Sequence, residues 1–416
     1  MRILFICDFF PPFIKGGAEI SSYWQAKELS QKNIKVIILA PKYKDKIKIE
    51  KDSFKKYWYS LPIKTTLTSP IIFLNPIYII YLLLNILKVA KKEKIDLIHC
   101  QGKFSMPAAW LAKKILQKPL ILTIRDYQGL CNYAFCLYHS QKACNLLSFF
   151  KKDFLFYYQN YIKNKNIFSF FYQLIISYLG RLNVYFLAFF MKKADKVISV
   201  SNYLGQVYIN NDYDSKKILT IYNLPPSLKI NQIQLNRKLQ QKINQYKFVV
   251  LYVGKLSLGK GAALLIDAAQ EITSKNKNIL FIFAGSIHYP IKKIVFEQLV
   301  FLGRIEYSLV LKIMKQVNLV CIPSIWPEPL SRGVIEAFYL GKPVICSTAG
   351  GPKELVFSNY NGWLFKPTKK DLKIAFMKAL SNKNKLKILG ENGRKFILKL
   401  KEEQMIKLIS LYKSLK

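Results

Sequence analysis

The stretch EPLSRGVIEA carries two carboxylates, Glu328 and Glu336, eight positions apart around residues suited to opening a helix. Pro329 fits the first turn of a helix, which would leave Glu328 in the preceding loop and put Glu336 on the second turn. Eight helical residues rise about 12 Å. That exceeds the ~5–9.5 Å between carboxylates flanking one scissile bond, so the pair does not read as an acid/base couple. It reads as two grips on one elongated ligand. The amides of Leu330, Ser331, Arg332 and Gly333 would lie between them at the helix start, where a diphosphate is favoured.

Other loops carry charge or glycine at matching places. VGKLSLGKG holds Lys255 and Lys260 five residues apart, so both ammonium groups can converge on one diphosphate as point charges. Near the amino terminus, Gly16 and Gly17 precede a helix, where glycine permits close backbone approach and the helix start favours an anion. TIRDY places Arg125 and Asp126 just after an apolar run, and His99 ends another. Asp126 suits either a polar contact to a bound ligand or a cap on the loop that follows.

The elements that must hold these residues are legible as apolar runs ending in Gly or polar residues, alternating with longer helical stretches. RILFIC, KVIILA, DLIHC, LILTI and KVISVS in the first half, and KFVVLYVG, ILFIFAG, LVFLG, LVCIPS and PVICS in the second, read as buried parallel strands. Stacked β-α-β units of this kind bind ligands beyond the carboxyl ends of their strands, where the charged residues fall. The rhythm stops at Pro225 and Pro226 and resumes at Phe248, which places a linker around 222–230. A Phe-, Tyr- and Lys-rich interruption at about 127–193 reads as amphipathic helices, either covering the first sheet or lying on a membrane surface.

Composition narrows the class. At 416 residues the chain exceeds what one core usually serves, and 51% hydrophobic against 21% charged residues excludes a disordered polymer. The net charge of +41 attracts polyanions, yet the lysines are spread along the whole chain, so nucleic acid is not the expected partner and an anionic membrane surface is preferred over a plain compositional bias. The segments 69–90 and 171–191 have the apolarity of membrane spans, but Asn75, Pro76 and Asn85 in one and Arg181 and Asn183 in the other are costly at a bilayer centre. The amino-terminal run is broken at Asp8 and Pro11-Pro12, a strand and not a signal peptide, so a cytoplasmic, membrane-surface location is expected. Of the seven cysteines, Cys7, Cys100, Cys321 and Cys346 read as buried free thiols. Cys131, Cys136 and Cys144, with His139 between, lack the paired Cys-x2-Cys spacing of common zinc sites, and no metal is expected there.

Taken in order, the GGAE turn, VGKLSLGKG, FLGRI at 301–305 and the Glu-x7-Glu segment through NGWLF at 361–365 resemble family-4 retaining glycosyltransferases. The resemblance covers nearly the whole chain. It implies an α/β chain of two Rossmann-like, doubly wound parallel-sheet domains facing a cleft, the GT-B fold: 1–222 for the acceptor, 223–395 for a nucleotide sugar, and a carboxy-terminal helix, 396–416, returning to the first domain. It further implies that Glu336 binds the ribose hydroxyls and Glu328 lies at the donor sugar. Leu330 to Gly333, Lys255, Lys260 and the Gly16-Gly17 turn would hold the diphosphate, and the backbone around Arg304 the base. No metal or other cofactor is implied, since lysines and a helix dipole can neutralise the departing diphosphate. Two departures stand out. Lys255 occupies a position that is often Arg, and Arg125 one that is often His, which puts the sugar-contacting role of Arg125 in doubt. The expected reaction is sugar transfer to a hydroxyl of a lipid-linked or surface glycan, with a nucleotide-sugar epimerase of the same fold, or a basic membrane- or nucleic-acid-binding protein, as the alternatives.

Overall fold

The structure is a computed structural model that describes residues 1–43, 52–61, 75–138, 140–162, 164–227, 235–288 and 296–416. His139 and the start of the 69–90 segment, up to residue 74, lie outside the described residues. The chain divides into two compact units, Met1–Tyr222 with Gln404–Lys416, and Asn223–Glu403.

The first unit is built on seven parallel strands: β1 (Arg2–Ile6), β2 (Lys35–Lys42), β3 (Lys55–Ser60), β4 (Leu97–Cys100), β5 (Leu120–Ile124), β6 (Lys196–Ser199) and β7 (Ile218–Thr220), in the order β3-β2-β1-β4-β5-β6-β7. The second has six: β8 (Phe248–Val253), β9 (Ile279–Ala284), β10 (Leu299–Gly303), β11 (Leu319–Ile322), β12 (Val344–Ser347) and β13 (Gly362–Phe365), in the order β10-β9-β8-β11-β12-β13. In each sheet the order reverses direction beside the first strand, and loops after the strands flanking that point meet. The central strands are buried along their length, the property that continuous apolar runs announce. Three strands escape the sequence reading, β3, β7 and β13, and all three are edges. β3 is half-exposed and Lys-rich, and β7 is only three residues long, so neither carries the apolar run of a central strand.

Helices cover the sheets. Ala262–Lys275 and Lys369–Ser381 cover one face of the second sheet, where Leu265, Ala269, Phe281, Leu372 and Phe376 share one core. The final helix, Leu386–Ser414, begins ten residues earlier than 396, and its residues from Gln404 onward belong to the first unit. There the Tyr412 hydroxyl lies 2.7 Å from Nδ1 of His99. The interruption at 127–193 forms the helices Leu146–Phe149, Leu155–Tyr161 and Ile167–Met191, with a π-helical turn at Phe150–Phe154. Pro76–Glu93 is an amphipathic helix that buries Tyr78, Leu82, Ile86 and Val89.

Candidate active site

In the second unit, the loop after β8 and the segment after β11 are held against each other by backbone bonds. The carbonyl of Gly259 accepts from the amides of both Ile325 and Trp326, each at 3.0 Å. Gly261 makes that approach possible: its φ is +69°, and a Cβ there would stand 1.8 Å from the carbonyl oxygen of Pro323. The result is an ion pair between the two loops, with Lys260 Nζ 2.9 Å from Glu328 Oε2. Glu328 is buried while Lys260 is part-exposed, and the Ser324 hydroxyl donates to the other Glu328 oxygen. Ser324 is itself fixed, because its carbonyl accepts from the Ser347 hydroxyl at 2.6 Å, which ties the ends of β11 and β12 together.

Pro329 does not open the helix. Ser331 is the N-cap and the helix runs Arg332–Tyr339, so Leu330 stays in extended chain and only the last five residues up to Glu336 are helical. The rise of about 12 Å therefore does not describe the separation of the two glutamates. Glu336, on the second turn, is buried and accepts from Nε of Arg332 and from the Tyr307 hydroxyl, each at 2.8 Å. Burial, with the Glu336 charge beside it, pushes the Tyr307 phenol above its ordinary range. Tyr307 opens the helix that follows FLGRI, so that motif reaches Glu336 through the residue three positions past Arg304. Arg304 and Lys255 are exposed, each just beyond a strand end.

In the first unit a cavity of about 320 Å³ opens beyond the ends of β1, β4 and β5, lined by Asp8, Glu19, Lys103, Arg125 and Asp126 among others. Asp8 is buried and accepts from the amides of Phe104 (3.0 Å) and Ser105 (3.1 Å) and from the Ser105 hydroxyl (2.8 Å). Burial raises its pKa in spite of those bonds. Lys103 bridges Asp126 and Gln128, both at 2.8 Å, and Asp126 also accepts from the Gln128 amide at 2.9 Å, the loop cap. Arg125 donates to the carbonyl and side-chain oxygens of Gln101, at 3.2 and 2.7 Å. Gln101 in turn donates to Gln25 and accepts from Ser22, so Arg125 is held by a buried polar network reaching into the first helix.

Two first-unit residues singled out from the sequence have partners within the fold. His99 is fully buried: one ring nitrogen meets Tyr412 and the other lies 2.7 Å from the Thr123 hydroxyl. Burial holds its pKa well below 6.5, and the ring stays neutral. At the GGAE turn, the Gly16 amide donates to the Glu19 carboxylate at 2.8 Å, so the helix Gly17–Gln31 supplies its own anion at its start. Gly16 is extended and exposed, and a Cβ on it would meet nothing within 4 Å.

Comparison with known proteins places the chain. Residues 15–224, half of it, match the profile described as Glycosyltransferase Family 4, and residues 234–396 match Glycosyl transferases group 1. The chain belongs to glycosyltransferase family 4. An uncharacterised glycosyltransferase of Methanocaldococcus jannaschii is 29% identical over 56% of this family-4 chain, which spans 59% of that relative's length. An uncharacterised 42.6 kDa protein in a cps region of Klebsiella pneumoniae is 24% identical over 85% of the chain and 87% of its own. Among solved structures, HepE of Anabaena in complex with UDP and glucose is 20% identical, covers 99% of this chain and 100% of its own, and superposes with a TM-score of 0.66. The fold is GT-B.

Several residues that surround these side chains carry no local sequence signal. Tyr307 meets Glu336 across 29 positions, and Lys103 meets Asp126 across 23. Asp8 was legible only as the polar break that ends β1. Only the rule that strand ends carry function in such sheets could have singled it out.

Proposed function

We propose that this protein is a retaining glycosyltransferase that moves a sugar from a nucleoside diphosphate to an acceptor hydroxyl. The observation that carries the reading is the Lys260–Glu328 pair, 2.9 Å across, placed between a glycine-bearing loop and the start of the helix Arg332–Tyr339. In the reaction, the bond from the anomeric carbon to the diphosphate oxygen breaks as the acceptor oxygen bonds to the same face, and the acceptor proton leaves with the diphosphate. Lys260 and Lys255, with the amides from Leu330 to Gly333, meet the charge that develops on the diphosphate. Glu328 orients Lys260 and holds the sugar end of the donor, while Glu336 takes the ribose hydroxyls. The backbone at Arg304 holds the base. HepE was solved with UDP and glucose, which supports a nucleotide sugar and makes UDP sugars the first donors to test.

The acceptor enters the first-unit cavity, with Asp126 and Arg125 as contacts, and no divalent cation takes part in transfer. A lipid-linked or surface glycan is the proposed acceptor, a reading supported by the relative from a cps region. The helix Ile167–Met191 is long and apolar enough to cross a membrane by length and composition, and most of it is not buried. It buries one stripe, Ser177, Arg181, Val184, Leu187 and Met191, and exposes Phe168, Phe171, Tyr172, Ile175 and Leu179 on other faces. Together with the +41 charge, this exposed face suits the interfacial layer of an anionic membrane on its cytoplasmic side.

The test is incubation with nucleotide sugars and a lipid-linked acceptor, without added metal, reading the product's anomeric configuration by NMR. Retained configuration on the acceptor is expected. Isomerised nucleotide sugar without acceptor, or an inverted product, rejects the proposal. Flotation with phosphatidylserine vesicles at low salt tests the membrane part, and failure to float rejects it.

A further inference from the structure

Cys131, Cys136 and Cys144 fall at sequence spacings that do not announce a metal site, yet their sulfurs and a carboxylate oxygen of Asp153 converge within 4.8 Å of one another. We propose that these four side chains bind one zinc ion, which fastens the aromatic insertion onto the first unit.

The spacing of Cys131 and Cys144 is that of two ligands of one tetrahedral ion, with Cys136 and Asp153 close enough to complete the set. Zinc–sulfur bonds of about 2.3 Å at the tetrahedral angle place two sulfurs about 3.8 Å apart. Cys131 Sγ and Cys144 Sγ stand 3.8 Å apart. Asp153 Oδ2 points at both, 3.3 Å from Cys131 Sγ and 2.8 Å from Cys144 Sγ. The other oxygen, Oδ1, accepts from the amides of Phe135 and Cys136 at 2.6 and 3.2 Å, which fixes the carboxylate in the direction of the thiols. Three thiolates select a soft ion, and four ligand atoms around one point suit one ion and not a multi-iron cluster.

The local structure is spent on this convergence. Cys131 lies in the turn after Tyr127, Cys136 in the short helix Phe135–Tyr138, and Cys144 beside the N-cap of Leu146–Phe149. Asp153 sits in the π-helical turn Phe150–Phe154, whose extra residue re-aims a side chain that an unbroken α-helix would point elsewhere. All four residues are buried, and Asp153 is wholly so. Among the described residues no cation is bonded to the Asp153 carboxylate, an arrangement that burial makes costly. Arg181 lies one layer out, donating to the carbonyls of Leu130 and Cys144, next to two of the ligand residues. On binding, the three thiols release their protons to solvent. The ligand set then carries four negative charges against two on zinc, and the Arg181 guanidinium offsets part of the remainder.

A Cys131–Cys144 disulfide is the competing use of the same thiols, and it would leave Cys136 and the aimed carboxylate without a role. The experiment is elemental analysis of the full chain purified with zinc in the medium, followed by cobalt substitution. One zinc per chain is expected. The cobalt form should show sulfur-to-metal charge transfer and intense tetrahedral d–d bands that zinc abolishes. A Cys131→Ser/Cys144→Ser variant should lose at least about nine-tenths of the metal. If that variant does not fold, the wild-type metal content and cobalt spectrum still decide the matter. A folded chain that takes up neither ion, a Cys131–Cys144 disulfide in a metal-free preparation, or an iron–sulfur chromophore would overturn the proposal.

Discussion

Truncating Glu336 removes the carboxylate that faces a buried guanidinium. Arg332 and Glu336 are 9% and 4% exposed and pair with each other, with the Tyr307 hydroxyl beside both and the Leu224 carbonyl beside Arg332. Glu336→Ala should lower the unfolding free energy by about 3 kcal/mol, the usual cost of breaking a buried pair, measured by urea denaturation. Glu336→Gln keeps the shape and should cost less, while weakening nucleotide binding if the carboxylate grips ribose. His99 gives a different kind of test. Its pKa is depressed in the folded chain, so below about pH 6.5 the unfolded chain takes up a proton that the native one does not, and stability falls as pH drops. The slope is at most about 1.4 kcal/mol per pH unit. His99→Asn should be less stable at neutral pH and should lose that part of the slope, read as urea midpoints on either side of that pH. The residue types at strand ends were legible in the sequence; their partners were not. Nothing local to His99 says that Tyr412 and Thr123 will occupy both ring nitrogens, because those contacts span 313 and 24 positions.

At the scale of elements, the site depends on two loops approaching through Gly261. Gly261→Ala combines a left-handed φ with a Cβ 1.8 Å from the Pro323 carbonyl oxygen, so it should cost more than the ~1–2 kcal/mol of the left-handed conformation alone. Gly303 is the control: its φ is +65°, with nothing within 4 Å of an added Cβ. Gly303→Ala should lose only the conformational term, and equal losses in the two variants would show that the close approach contributes nothing. Central strands could be read from the sequence because burial on both faces demands continuous apolar runs. β3 and β7 could not, since an edge strand can be short or lysine-bearing and still pair. The helix starts at Arg332 and not at Pro329, and Ser331 at its N-cap makes no side-chain bond that would have announced the later start. Asp153 escaped notice because a π-helical turn shifts side chains off the spacing of an α-helix.

At the scale of the molecule, two parallel sheets divide the work: the second unit gathers cations and a helix start, and the first holds a polar cavity. The order of the four family motifs was legible because each sits at a strand end, where the fold puts ligands. The +41 charge bears on the donor as well as on the membrane, because it favours any diphosphate over its neutral sugar and makes binding dependent on salt. The most direct measurement is the melting of wild type and Lys260→Ala side by side, with and without UDP sugars at high concentration. A donor at 100 times its Kd should stabilise the wild type by about 2.7 kcal/mol. Lys260→Ala leaves the buried Glu328 carboxylate without its ion pair, so it should melt below the wild type without ligand, and it should gain far less from the same donor. A folded Lys260→Ala variant stabilised as much as the wild type would contradict the assignment of the diphosphate to this loop.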